Sequence, residues 1–428
     1  MPESRDPLTL NMPLLAYGIN HRSASLDIRE KFVIPRARLP DASSSLRETV
    51  PELQEFVIVC TCNRTEVHCV TDRADVSELK SWLASECQLS CELLDQVCYP
   101  HWDLEAVRHV MRVGSGLDSL VLGEPQILGQ LKSAYAVAQQ QGSMGRQLER
   151  LATAVWSVAK RVRSQTYIGS NPVSVASTAT RLTEQLLPDM GSARVLLLGA
   201  GSNVRRLVRH LQAAGCRDVC IANRTLTRAQ QLAAATGGTA LPLNAIDDEL
   251  PRFDVVISST GSTNPLRHQD HVRRAIRSRS GRSMVIIDLG VPRDVEPATA
   301  ALRGVHLYSI DDLSDVIDIN LEERRQAAEQ AAELIDQAIQ EYERAERIAG
   351  ANALLGRYRD RNESIRLTLL AAANDKLAAG ASAAEVMNRL SKDLTNKLTH
   401  GPTMVIREAS ANGDHRLLEL LEAVHTRD

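Results

Sequence analysis

A chain of 428 residues exceeds what one hydrophobic core fills, and about three domains are expected. With 3% aromatic residues and a formal net charge of −3, neither a base-stacking single-strand binder nor a polybasic surface is expected, and any nucleic acid must meet a local patch. Eight cysteines are too sparse for a disulfide framework, the polar start Met1–Asn11 lacks a signal-peptide pattern, and no run is long enough to span a membrane, so a reduced, cytoplasmic protein is expected.

From Pro13 to Tyr167 short strands alternate with helices. Leu14–Ile19, Phe56–Cys60 and Val67–Val70 have strand patterns. Leu79–Glu86, Leu104–Arg112 and Leu148–Arg163 have helical ones. The most informative stretch is Cys60-Thr61-Cys62-Asn63-Arg64-Thr65-Glu66, where a strand ends and a loop begins. A thiol two residues from an arginine can be a nucleophile beside a carboxylate clamp, since a nearby cation lowers a cysteine pKa. On a strand Cys60 and Cys62 would share one face, so one can be structural and the other reactive. Six of the eight cysteines lie in the first hundred residues, but no paired C-x-x-C elements occur and no metal site is expected. Gly169-Ser170-Asn171-Pro172 predicts a break.

From Val173 to Ser309 the pattern becomes β-α-β, the mark of a parallel sheet covered on both faces. Arg194–Leu198 runs into Gly199-Ala200-Gly201, and Asn203–Ala214 then has helical period. Further strands are predicted at Asp218–Ala222, Phe253–Ser258, Ser283–Leu289 and Val305–Tyr308. A strand, a glycine turn and a helix are the context of a dinucleotide fingerprint, with the pyrophosphate at Gly199, Ala200, Gly201, Ser202, Asn203 and Val204. Val204 stands where the third glycine usually falls. At the end of the next strand Asn223-Arg224-Thr225 replaces the acid that reads a ribose 2′-hydroxyl, so a 2′-phosphate and hence NADP is expected over NAD. Ser258, Thr260 and the Asp288–Arg293 turn fall on the ligand-binding edge of such a sheet.

After Asp311 the chain is helical. Ser309 is expected to cap a helix running to about Ala349, roughly 37 residues or about 55 Å. Its stripe of Leu334, Ile335, Ala338, Ile339, Tyr342 and Ala345 suggests a spine along which domains hang. Ser382-Ala383-Ala384-Glu385 predicts a capping box, Gly401-Pro402 a helix end, and Asp414 the cap of the last helix. Arg357, Arg359, Arg361 and Arg366 form a basic cluster that either meets phosphate or is a solvated face.

The Cys60–Glu66 motif, the run Ser115–Gln130 containing Leu122-Gly123-Glu124-Pro125-Gln126, the Asn223-Arg224-Thr225 turn and Asp288–Asp294 together resemble glutamyl-tRNA reductases, over essentially the whole chain. The resemblance implies a multidomain α/β protein. An N-terminal α+β catalytic domain (1–168) and a Rossmann-like NADP-binding domain (169–309) would precede a spine helix and an all-helical dimerisation domain (310–428). It implies NADPH-dependent reduction of glutamyl-tRNA(Glu) to glutamate-1-semialdehyde, the entry to tetrapyrrole synthesis, through a thioester. Cys62 would be the nucleophile, and Cys60, where the family usually has Ser, a bystander. Arg64 would hold the glutamate carboxylate, and Thr61, Asn63, Ser119, Glu124, Pro125, Gln126 and Gln130 would complete the pocket. His109 would assist proton transfer or orient the substrate, whereas His21 and His101 have no such support. A homodimer and a partner aminomutase that takes up the aldehyde are also implied. The nucleotide region alone also looks like shikimate dehydrogenase, and a non-enzymatic tRNA-binding scaffold is a second alternative.

Overall fold

A computed structural model describes residues 14–72, 75–170, 174–313 and 321–425, which divide between two units, Met12–Glu343 and Arg344–Asp428. The first begins with an antiparallel sheet of β1 (Leu14–Asn20), β2 (Glu55–Cys60), β3 (Arg64–Val70) and β4 (Tyr99–Trp102), in the order β2-β3-β1-β4. Alternation sends its two faces into different cores. Ala16, Val57, Val59 and Val70 face the helices Asp103–Gly114, Gln126–Gln140 and Arg146–Gln165. Leu15, Tyr17, Phe56, Ile58, Val67 and Cys69 face the helices Leu39–Thr49, Ser77–Cys87 and Cys91–Val97.

Two features of this sheet differ from the sequence pattern. β3 starts at Arg64 rather than at Val67 and is buried along its whole length. Arg64, Glu66 and His68, two apart, therefore point with Val70 into the helix-covered core. β4 was not anticipated, because Tyr-Pro-His-Trp has no apolar alternation. It pairs with β1 as an edge strand, where a proline is tolerated.

The second sheet is parallel throughout, β10 (Val305–Ser309)-β9 (Met284–Asp288)-β8 (Val255–Ser258)-β5 (Arg194–Leu198)-β6 (Asp218–Asn223)-β7 (Thr239–Pro242). This is the doubly wound order, with its reversal between β5 and β8. One face packs on the helices Val175–Leu186 and Ser202–Ala213, the other on Gln269–Arg277. Beside the predicted break, Tyr167–Ser170 forms a last helical turn, and Asn171 and Pro172 lie outside the described residues.

The long helix is longer than its sequence suggests, Leu321–Ala378, 58 residues. It runs through Gly350 and Gly356, and a Cβ at Gly356 would meet nothing within 4 Å, so neither glycine marks a turn. Ser309 is not its cap. The Ser309 amide and hydroxyl both donate to Asp312, in a turn after β10. Ala327, Ala331, Ile335, Ala338 and Ile339 are buried in the core shared with the helices Asp103–Gly114 and Arg146–Gln165. The first part of the spine is thus covered by the N-terminal domain of its own chain.

Past Arg344 the fold is helical, with Ala383–Ala411 and His415–His425 following. Ser382 precedes the first of these without a side-chain cap bond, so the capping box does not form. Pro402 lies inside that helix instead of ending it. Asp414 does cap the last helix, its Oδ1 accepting from the Leu417 amide at 3.0 Å. Among the described residues no helix is long and apolar enough to cross a membrane.

Candidate active site

The hairpin between β2 and β3 is the three residues Thr61, Cys62 and Asn63. Thr61 braces it: its amide donates to the Arg64 carbonyl at 2.8 Å, and its hydroxyl accepts from the Asn63 and Arg64 amides at 3.2 Å. Because the strand ends at Cys60, the two thiols part company instead of sharing a face. Cys60 packs into the core beneath the outer helices, and its sulfur meets the Thr65 hydroxyl at 3.5 Å. Cys62 packs on the nucleotide-domain core, in one apolar cluster with Leu120, Val121, Ala200 and Val291. The tip of the hairpin and the glycine turn of the second sheet thus pack on the same apolar core.

Burial pushes the Cys62 thiol up to about 12; Glu124 adds to this and Arg29 opposes it. The cation that acts on Cys62 is therefore Arg29, not the Arg64 two residues away. Arg29 is 2% exposed, and its Nη1 donates to the Cys62 carbonyl at 3.1 Å and to Asn63 Oδ1 at 3.3 Å.

Arg64 is placed differently from a clamp open to substrate. Its side chain is fully buried, Nη1 donating to Glu66 at 2.7 Å and Nη2 to the carboxylate of Asp118 at 3.0 Å and to the Asp118 carbonyl. Glu66 is the hub below it. Oε1 also accepts from Tyr99 at 2.6 Å and faces His109 Nε2 at 2.9 Å, while Oε2 faces His68 Nε2 at 2.9 Å. Burial alone would raise the pKa of Glu66, but Arg64, His109 and His68 hold it well below the usual carboxylate range. An ionised carboxylate only accepts, so both imidazoles donate to it, and the Tyr135 hydroxyl, 3.0 Å from His68 Nδ1, donates to the neutral ring. His109 stacks on His101, with centroids 4.5 Å apart.

Beside this network opens a pocket of about 520 Å³ lined by Asn20, Arg22, His101, His109, Arg112 and Asp118. His101, without support in the sequence, is thus a pocket residue. His21 is half-buried near Asp118 and Arg64, and burial lowers its pKa to about 4.

The Ser115–Gln130 run divides. Ser119 Oγ and Gln126 Nε2 are buried with no hydrogen-bond partner among the described residues, two polar atoms ready for a ligand. Glu124 is 7% exposed, and burial raises its pKa to about 7 against the pull of Arg206. The Pro125 carbonyl is occupied by Arg163 Nη2 at 3.0 Å. Gln130 is exposed on the helix Gln126–Gln140, apart from these groups.

In the second sheet Gly199 has φ +113° and a Cβ there would meet the Ser259 carbonyl oxygen at 2.5 Å, so the turn requires glycine. At Gly201 a Cβ would meet nothing within 4 Å, leaving open space over the N-terminus of the helix Ser202–Ala213. Asn203 Oδ1 is buried there without a partner among the described residues. Val204 is buried in the core. Arg224 and Thr225 are exposed at the end of β6, and Asn223 Nδ2 donates to the Thr225 carbonyl at 3.0 Å. Ser258 instead serves the sheet edge, donating to Asp288 at 2.8 Å, and the Thr260 amide and hydroxyl both donate to Asp294. The open cradle, the unpartnered Asn203 oxygen and a basic side chain at the β6 end fit a phosphorylated dinucleotide.

Arg29, Glu66, His68, Tyr99 and Asp118 were not singled out from the sequence. Buried polar residues on β3 were the available sign, visible only once that strand is placed.

The chain is similar to known proteins over nearly its whole length. Residues 17–166 match the family described as glutamyl-tRNA(Glu) reductase, N-terminal domain, and residues 330–426 its dimerisation domain. Residues 181–316 match shikimate / quinate 5-dehydrogenase. The chain is 44% identical over 413 residues to glutamyl-tRNA reductase of Chromohalobacter salexigens, covering 96% of this chain and 97% of that one. It is 42% identical over 417 residues to the same enzyme of Pseudomonas aeruginosa, covering 97% and 99%. A solved structure, glutamyl-tRNA reductase from Methanopyrus kandleri, is 29% identical over 97% of this chain and 95% of that one, with a TM-score of 0.43. Alike from end to end to these relatives at this identity, the chain belongs to the glutamyl-tRNA reductase family.

Proposed function

We infer that this protein reduces glutamyl-tRNA(Glu) with NADPH to glutamate-1-semialdehyde and free tRNA, the first committed step of tetrapyrrole synthesis from glutamate. The observation that carries the reading of the site is the packing of Cys62 in one apolar cluster with Ala200 of the glycine turn. An acyl group on that sulfur would border the place where a dinucleotide lies.

Cys62 Sγ attacks the ester carbonyl carbon. The S–C bond forms, the bond from that carbon to the ribose oxygen breaks, and the thiol proton ends on the ribose hydroxyl. Glu124, near Cys62 and with a pKa of about 7, is suited to carry that proton. Ser119 Oγ and Gln126 Nε2 bind polar groups of the glutamyl moiety, and its carboxylate enters the pocket beside His109 against Arg22 and Arg112. Arg64 then acts as the buried support of that pocket, fixing Glu66 and Asp118, while His109 is held in one orientation by Glu66. Gly199 to Asn203 would hold the cofactor pyrophosphate, and Arg224 the 2′-phosphate. NADPH, when bound, supplies the hydride that converts the thioester to aldehyde and returns sulfur as thiolate.

The unit Arg344–Asp428 exposes Leu354, Leu355, Tyr358, Leu367 and Leu370, apolar side chains that support a homodimer through this region. Residues 1–168, 169–309 and 310–428 serve as the catalytic, cofactor and dimerisation parts, except that the turn after β10, with Ile310 and Leu313 buried in the core of the second sheet, belongs structurally to the nucleotide domain. The product is a reactive aldehyde, which favours direct transfer to an aminomutase, and the sparse, unpaired cysteines favour work in the cytoplasm. A shikimate-dehydrogenase-like activity leaves the cysteine hairpin without a role.

NADPH oxidation on addition of glutamyl-tRNA, compared with free glutamate, tests the reading. Oxidation is expected with the charged tRNA alone, lost in Cys62→Ser and largely kept in Cys60→Ser. Equal loss in the two variants would remove Cys62 from its role.

A further inference from the structure

The Cys62 turn braces itself through Thr61, with two exceptions. The Cys62 carbonyl and the Asn63 side chain both go to Arg29. Arg29 ends the short helix Leu26–Arg29, and its other edge, Nη2, pairs with Asp311 after β10 of the nucleotide domain. A guanidinium 2% exposed needs a counter-ion, and Asp311 is the carboxylate it bonds among the described residues. The same segment makes a second crossing. Glu30 accepts from the Arg293 amide at 2.6 Å and from its guanidinium at 2.9 Å, and Asp27 pairs with Arg293 too. Leu26 is buried in the nucleotide-domain core, the cluster on which Cys62 also packs.

We propose that Arg29 is a positioning residue for the Cys62 nucleophile, and that it holds the hairpin in attacking geometry only while Asp311 of the nucleotide domain grips its other edge. The bonds follow a single planar fork, which suits arginine and not lysine. The nucleotide domain therefore has a part in the acylation half-reaction before any hydride moves. The groups that face the Cys62 sulfur electrostatically are Arg29, Glu124 and Cys60, with Arg206 acting on Glu124. Of these charged groups Arg29 favours the thiolate, and the backbone amide of Cys62 itself adds to it.

The proposal rests on Cys62 as nucleophile, and the test separates the two. In the full-length protein, alkylation of Cys62 by iodoacetamide is followed against pH by peptide mass spectrometry. Acylation by glutamyl-tRNA without NADPH is followed by label on the protein. Wild type is compared with Asp311→Ala, Arg29→Lys, Arg29→Gln and Cys62→Ser. Asp311→Ala removes a half-exposed carboxylate and is expected to fold, with acylation slowed about tenfold or more and the Cys62 alkylation profile moved to higher pH. Deleting a negative charge without releasing Arg29 would move that profile to lower pH, so the direction decides. Arg29→Lys is expected to recover the charge but not the fork, restoring the alkylation profile more than the acylation rate. If Arg29→Gln does not fold, Asp311→Ala decides alone. A wild-type acylation rate in Asp311→Ala, or an unchanged or lowered alkylation profile, overturns the proposal. Label persisting on Cys62→Ser removes the nucleophile assignment instead, while the alkylation profile still reports on Arg29.

Discussion

Glu124 carries a pH dependence whose sign follows from its burial. Its folded pKa of about 7 lies above the ordinary 4.5, so the folded protein prefers the protonated form. The contribution of Glu124 to stability is then greatest below about 4.5, falls as pH rises from there to about 7, and is level above. The span is a few kcal/mol, the order expected of a carboxylate buried to 7% exposure. Glu124→Gln keeps the shape and removes the titration. Melting temperatures of the cofactor-free protein across that window should show the variant gaining on wild type as pH rises, and a constant difference would contradict the assignment. At this scale the motif residues of the hairpin were legible, because Cys, Asn and Arg in a loop after an apolar strand are unusual. What Arg64 does was not. Its partners Glu66 and Asp118 lie 2 and 54 residues away, and the second distance has no trace in local pattern.

Among the elements, the spine helix is the one whose packing makes the sharpest demand. Ile335 is 1% exposed against the N-terminal helices, and Arg108 and Arg161 pair with Asp336 and Glu341 on the flanks of that buried stripe. Ile335→Ala should cost about 2–5 kcal/mol by leaving a cavity there. Thermal unfolding that is unchanged in this variant would mean the helix is not part of that core. The parallel sheet was readable strand by strand because buried strands are continuous apolar runs, and Leu196-Leu197-Leu198 has no other use. β4 and β7, short edge strands of four residues each, lack that signal. The helix boundaries failed at Ala349, where Gly350 follows, and at Gly401-Pro402, where the glycine and proline served as punctuation. Glycine and proline weigh against a helix by about 1 and 3 kcal/mol, and long flanking runs outweigh a single such residue.

For the whole molecule, the apolar side chains past Arg344 predict association. Leu355 and Leu370 are 49% and 37% exposed, and Leu355→Glu with Leu370→Glu should give monomers in sedimentation velocity while wild type is a dimer. A dimeric double variant would place the interface elsewhere. The basic cluster of the same unit is exposed, and Arg366 is paired with Glu363 at 2.6 Å. The segment 26–30 bears on a different matter, the modularity of the chain. By fold alone, residues 181–316, which match shikimate / quinate 5-dehydrogenase, look like an exchangeable doubly wound sheet. A chimaera of that kind would arrive without Asp311 and Arg293, leaving Arg29 without its counter-ion and Glu30 without its fork. The junction between the two domains is thus a short code of charges at Asp27, Arg29, Glu30, Arg293 and Asp311, and a graft that keeps it has to carry both sides of each pair.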